Sequence, residues 1–219
     1  MSKDRILFVT DTSGSYCEIE DLFISHDFQY KIINSSQIHL IKQVYDILIL
    51  DRCSSIIPYK IYSTFKLALN THPSLLPLHR GNYPIFWSSL FGDPLGITIH
   101  ELDKRVDTGS RIFQERINYN ENNNFRDLYL ASRISILKGL SYVLNLYKNN
   151  TIIQYNNNQI NDYHHLKSYS KNVIRKLPLG WDTSIKQARV LLRREINQYQ
   201  ESIEWQQNRQ RLIHDILVS

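Results

Sequence analysis

"KLALNTHPSLLPLHRG", residues 66–81, sets a short apolar run against a stiff polar continuation, and the rest of the chain is read outward from it. Leu67, Ala68 and Leu69 suit a buried strand. Pro73 and Pro77 then each lack an N–H and fix their own φ, so neither a strand nor a helix runs on through them. The strand is expected to end near Asn70. Residues i and i+2 of an extended segment point to the same side, so Asn70 and His72 can face one crevice. Open parallel sheets hold their ligands at the carboxyl ends of their strands, which is where this pair falls.

Upstream, RILFVT (5–10), YKIIN (30–34) and DILIL (46–50) read as three more buried strands. Between them, residues 16–26 and 36–44 carry helix-compatible spacing. Strands alternating with short helical segments predict an α/β fold, a Rossmann-like and mostly parallel sheet with flanking helices. Downstream, PIFWSSLF (84–91) reads as a helix with proline in its first turn. LGITIHEL (95–102) and RIFQERI (111–117) alternate with period two and read as a pair of strands, joined by the loop DKRVDTG. Residues 125–147 form the longest apolar-periodic stretch and are read as a helix covering the sheet.

Beyond Tyr147 the character changes. Six asparagines fall within residues 149–161, around TIIQY, and this reads as a small hairpin or linker. Apolar positions 185, 188, 192, 196, 199 and 203 then make a helical stripe, predicting a long helix that covers the core or forms a dimer contact. The expected organisation is a catalytic domain over residues 1–148 and a C-terminal appendage over 149–219.

Composition narrows the class. Hydrophobic residues at 42% and charged residues at 21% exclude a disordered chain. No apolar run reaches the roughly 20 residues of a membrane span. No secretory signal is read at the start, and Cys17 and Cys53 form no CxxC motif, so reduced thiols in a cytoplasmic protein are expected. The net charge of +5 lies entirely in residues 165–219, which hold ten Lys/Arg against five Asp/Glu. That excess could attract an anionic ligand or solvate a helix face. Nothing in the pattern of basic and aromatic residues supports binding to nucleic acid. The adjacent His164 and His165 are a poor pair for a shared ion, and no spacing implies a metal.

An amide donor beside an imidazole suits an oxygen that gains negative charge during a reaction. By itself, Asn-x-His also reads as a structural turn with a capping asparagine. Asp107, two residues before Gly109, is likewise a turn that presents a carboxylate with or without catalysis. A carboxylate near an imidazole, however, is the pair that moves protons in acyl transfer to an amine. In HRGNYPIFW, Arg80 and Gly81 permit a tight turn near a polar ligand, and Trp87 can wall a pocket. His100 reads as a packed strand residue, and Trp181 as a packed residue or a base-stacking one.

Taken together, NTHPSLLPLHRGNYPIFWSS and GITIHELDKRVDTGSRIFQ resemble the N10-formyltetrahydrofolate-dependent formyltransferases. The resemblance implies a catalytic Asn70, His72 and Asp107. DILILDRCSSIIP resembles the strand and loop that hold the folate through backbone contacts. That implies cofactor contacts at Arg52, Cys53, Ser54, Ile56 and Ile57, with Val106 beside the catalytic aspartate. HRGNYPIFWSSL is similar to the nucleotide-sugar and methionyl-tRNA branches, and residues 150–219 look too short and too helical for the latter's β-barrel domain. A sugar N-formyltransferase is the implied activity, with N10-formyltetrahydrofolate as co-substrate, a nucleotide-linked amino sugar as partner and a homodimer as assembly. Arg80, Gly81, Asn82 and Trp87 would then meet the sugar nucleotide. Other amine acceptors, such as a purine precursor or a hydroxylated amino acid, remain open, as does an inactive binding protein. Only 69 residues precede Asn70, fewer than the family's usual lead-in, so one βα unit is expected to be shortened or absent.

Overall fold

A computed structural model describes residues 3–13, 16–41, 44–155, 167–200 and 213. Six strands, β1 (Arg5–Val9), β2 (Gln29–Ile33), β3 (Ile47–Asp51), β4 (Leu67–His72), β5 (Leu95–Glu101) and β6 (Arg111–Ile117), form one sheet in the order β2-β1-β3-β4-β5-β6. Pairing is parallel from β2 through β4, and β5 runs antiparallel to β4. The α/β fold class therefore holds, with a mixed rather than purely parallel sheet. Helices α1 (Cys17–Ser25), α2 (Tyr59–Tyr62), α3 (Pro84–Phe91), α4 (Phe125–Lys148), α5 (Lys167–Ile174), α6 (Ile185–Leu191) and α7 (Arg193–Gln200) accompany it. Among the described residues, no helix is long and apolar enough to cross a membrane.

The chain divides into two compact units that interleave in sequence, residues 1–72, 98–113 and 136–157 against 73–97, 114–135 and 158–219. In the first unit the two parallel strands nearest its centre are apolar on both faces. Leu7, Val9, Leu48 and Leu50 pack with Ile33, Ile38, Ile57 and Tyr62. The alternate residues Ile6, Phe8, Ile47 and Ile49 are buried as well, Phe8 lying edge-on to Phe23 of α1. Burial on both faces is why these strands read as unbroken apolar runs instead of alternating ones.

In the second unit α3 is buried along its whole length, among Phe125, Leu128, Val173, Leu177, Ile185 and Ala188. Tyr83 at φ 58° and Gly92 at φ 77° bracket this helix, and the Arg189 guanidinium donates to the carbonyls of Ser89 and Leu90 at its C-terminal end. A cation at that end satisfies carbonyls that have no partner within the helix.

Two sequence expectations change. The fourth strand does not stop near Asn70 but runs to His72, because Asn70–His72 pair with Thr98–His100 on one side and Asp51 pairs with Thr71 on the other. Pro73, lacking an N–H, ends it there. The C-terminal stripe is two helices and not one, with Leu192 leaving helical geometry at φ −102°, ψ 20° while its side chain stays buried. Position 203, the distal half of the asparagine-rich stretch, and His164–His165 lie outside the described residues. Tyr155 bridges to Arg111.

Candidate active site

The site is built on the C-terminal end of β4 and on β5 beside it, within the first unit. Asn70 stands directly opposite His100, and His72 opposite Thr98. Directly opposed residues on antiparallel strands share a face, so the amide, the two imidazoles and the loop that follows β5 converge. That loop carries Asp107, which sits at φ 53° in the left-handed region. Aspartate tolerates this conformation better than most residues. Two positions on, a Cβ at Gly109 would lie 1.9 Å from the carbonyl oxygen of Glu101. Only glycine lets the backbone pass so close, which gives Asp-x-Gly its physical reason.

The polar geometry is compact. His72 Nδ1 lies 3.5 Å from Asp107 Oδ2. Asn70 Nδ2 donates to Asp107 Oδ1 at 3.2 Å, and the same nitrogen is 3.2 Å from His100 Nε2. His100 Nδ1 is 2.7 Å from its neighbour's carbonyl, that of Glu101. His72 and His100 are both buried, with their rings edge to face at 6.4 Å. A carboxylate turned toward Nδ1 of His72 orients the ring, and it stabilises the imidazolium when the ring gains a proton. This set can accept a proton from a nucleophile and donate hydrogen bonds to an oxygen that becomes negative.

The residues expected to meet a folate begin one position after β3. Asp51 is fully buried, accepts a hydrogen bond from Thr71 Oγ1 at 2.6 Å and one from Arg52 Nε at 2.9 Å. It thus ties the start of the Arg52–Ile57 segment to the strand bearing Asn70 and His72. Arg52 also takes a left-handed turn, at φ 53°. Asp11, just beyond β1, accepts from the backbone N–H groups of Ser35 and Ser54 and from Ser54 Oγ. Burial opposes its ionisation, but hydrogen bonding from the Ser35 side chain, together with these bonds, outweighs that and lowers its carboxyl to about 2. Ile57 packs into the core while Ile56 is 80% exposed, an apolar side chain held out beside a fixed backbone. Cys53 donates its thiol to the Ser55 carbonyl, and burial raises its pKa. Val106 directly precedes Asp107 in the loop after β5.

The expected sugar-side residues fall in the second unit. Trp87 does not wall a pocket. It has no exposed surface, its indole N–H donates to Ser170 Oγ at 2.9 Å, and it stacks on Phe91 and Tyr169. An aromatic at the middle of a helix buried all round packs the core. Arg80 is also buried, and Gly81 takes φ 87°. Asn82 precedes Tyr83, the N-terminal flank of α3. Trp181 lies edge-on to Phe125 and Tyr129, which is packing. The buried pair His79–Asp93, at 2.8 Å, is a further polar element of that unit.

His100, read from the sequence as a packed strand residue, is indeed buried on β5, but that reading missed its contact with Asn70. Its place opposite Asn70 depends on the β4–β5 register, and no local signal carries that register.

The family profile described as formyl transferase matches residues 26–142, more than half of the chain. Among curated proteins, the methionyl-tRNA formyltransferase of Chlorobium limicola is 38% identical over 91 residues, 41% of this chain and 28% of that protein. That of Ehrlichia ruminantium is 33% identical over 129 residues, 54% of this chain and 42% of that protein. The chain thus spans less than half the length of these relatives. Among solved structures, the formyltransferase PseJ from Anoxybacillus kamchatkensis, in complex with UDP-4,6-dideoxy-4-formamido-L-AltNAc and tetrahydrofolate, superposes with a TM-score of 0.72 at 29% identity, over 84% of this chain and 97% of that one. A sugar N-formyltransferase from a Shewanella species has the same fold, with a TM-score of 0.68 at 21% identity, over 87% of each chain.

Proposed function

Because the chain belongs to the formyl transferase family, we propose that it moves a formyl group from N10-formyltetrahydrofolate to the primary amine of a nucleotide-linked amino sugar. The observation that carries the reading is the meeting of Asn70, His72 and Asp107 on one unit, beside a fixed loop at the end of β3. The amine nitrogen attacks the formyl carbon, and the carbonyl oxygen becomes an oxyanion. His72 and Asn70 donate to that oxygen, each such donor being worth about 2.7–4 kcal/mol of barrier. Asp107 takes the proton that the amine releases, and the proton passes on to N10 as the C–N10 bond breaks. Acid–base assistance of this kind contributes roughly 10²–10⁴ in rate. Arg52–Ile57 and Val106 would hold the folate, largely through backbone groups. Arg80, Gly81 and Asn82 are carried as acceptor-side residues by the HRGNYPIFW likeness alone.

The sugar acceptor is favoured because the likeness to PseJ runs along nearly all of that chain, whereas the methionyl-tRNA enzymes match over 28% and 42% of theirs. The second reading, formylation of an aminoacyl-tRNA, is kept because the curated relatives bear that name. Incubating the protein with N10-formyltetrahydrofolate and either a UDP-linked 4-amino-4,6-dideoxy sugar or charged initiator tRNA, with mass spectrometry of the products, separates them. A formamido sugar is expected. Formylation of the tRNA alone would replace the first reading with the second, and no product from either would remove both.

A further inference from the structure

We propose that His100 is a positioning residue that dictates which way the Asn70 amide faces, by presenting a bare Nε2 as a hydrogen-bond acceptor. This rests on the transfer reading for its consequence, but the geometry stands without it. A carbonyl oxygen can only accept, so His100 Nδ1, 2.7 Å from the Glu101 carbonyl, must carry the ring's proton. In the neutral ring Nε2 is then unprotonated. The group 3.2 Å from it is the Asn70 side-chain nitrogen, which can only donate. That same nitrogen also donates to Asp107 Oδ1, while Nε2 and Oδ1 stand 3.6 Å apart. Two acceptors thus flank one NH₂ group. If the amide turned over, its oxygen would face a lone pair and a carboxylate together, so the arrangement admits one orientation.

The device has a second support. The Glu101 carbonyl that fixes the tautomer is the same oxygen that Gly109 approaches, where a Cβ would intrude to 1.9 Å. The Glu101 N–H in turn donates to the Ser110 carbonyl at 2.9 Å. The turn that presents Asp107 and the carbonyl that sets His100 are therefore one backbone assembly. Asn70 reaches the reacting centre nitrogen-first, and the hydrogen it lends to Asp107 is released as that carboxylate takes the amine's proton and becomes a weaker acceptor.

Two measurements test this. Nitrogen-15 correlation spectra of the histidine rings in the free protein, with His100→Gln used to assign the signals, read the tautomer directly. A His100 ring with protonated Nδ1 and bare Nε2 is expected, and a protonated Nε2 would overturn the proposal whatever the enzyme's activity. In transfer assays His100→Met should lower kcat by roughly tenfold to a hundredfold, as loss of an outer orienting partner does, with the KM for the folate unchanged. His100→Gln, whose side-chain oxygen reaches the place of Nε2, should recover most of that loss. In an Asn70→Ala background His100→Met should cost less than about twofold more, because residues acting through one another are not additive. An undiminished further loss there would show that His100 acts on something other than Asn70. If the unaltered protein transfers no formyl group at all, the function reading fails and the ring spectra still decide this proposal.

Discussion

Asp107 is shared between His72 and Asn70: one carboxylate oxygen lies 3.5 Å from Nδ1 of His72, and the other accepts from the Asn70 amide at 3.2 Å. One partly buried carboxylate therefore orients both groups that would donate to a developing oxyanion. Asp107→Asn keeps the shape and removes the base, and is expected to lower single-turnover formyl transfer by roughly 10²–10⁴. His72→Ala should be of comparable severity, and Asn70→Ala about 10²-fold. Circular dichroism should show all three folded. Near-normal rates for the first two would remove their assigned roles.

Gly109→Ala should damage stability and turnover together. The added carbon must displace the Glu101 backbone, since it would sit 1.9 Å from a carbonyl oxygen with no flexible side chain to yield. Overpacking of this kind costs about 1–3 kcal/mol. Denaturant melts measure the first effect and transfer assays the second. A variant of unchanged stability would contradict the close approach.

Asp11 predicts an acid-sensitive fold. Its folded pKa of about 2 lies below the unfolded 3.8, so the ionised form favours the native state. That contribution is complete above about pH 4 and disappears as the pH falls toward 2. Asp11→Asn should flatten the dependence of melting temperature on pH across that interval. Parallel curves for the two proteins would show that the carboxylate does not contribute.

The two thiols should differ in reactivity. Cys17 is exposed, whereas Cys53 is partly buried with its pKa raised by desolvation. Iodoacetamide should modify Cys17 first, because the thiolate is the reacting form. Tetrahydrofolate should slow labelling of Cys53 and leave Cys17 unchanged if Arg52–Ile57 hold the folate. Peptide mass spectrometry reads both rates, and equal protection of both would count against that segment.

Much of the fold was legible locally. Pro84–Phe91 and Arg111–Ile117 lie where proline placement and two-residue alternation put them, and the long helix differs by a single residue at its end. These are signals within a few residues, set by dihedral preference and side-chain period. Trp87 was misread because a buried aromatic and a pocket wall look alike until its neighbours Ser170 and Tyr169, more than 80 positions away, are known.

What the amino-acid order alone determined was the identity of the strands, the stiff run from Pro73 to Pro77, and the kinds of side chain at 70, 72 and 107. Tertiary structure alone decided that His100 faces Asn70, that the Glu101 carbonyl fixes its tautomer, and that a single carboxylate serves two donors. The reason is physical: strand register joins residues about thirty apart through backbone pairing across the sheet, and no local preference encodes it.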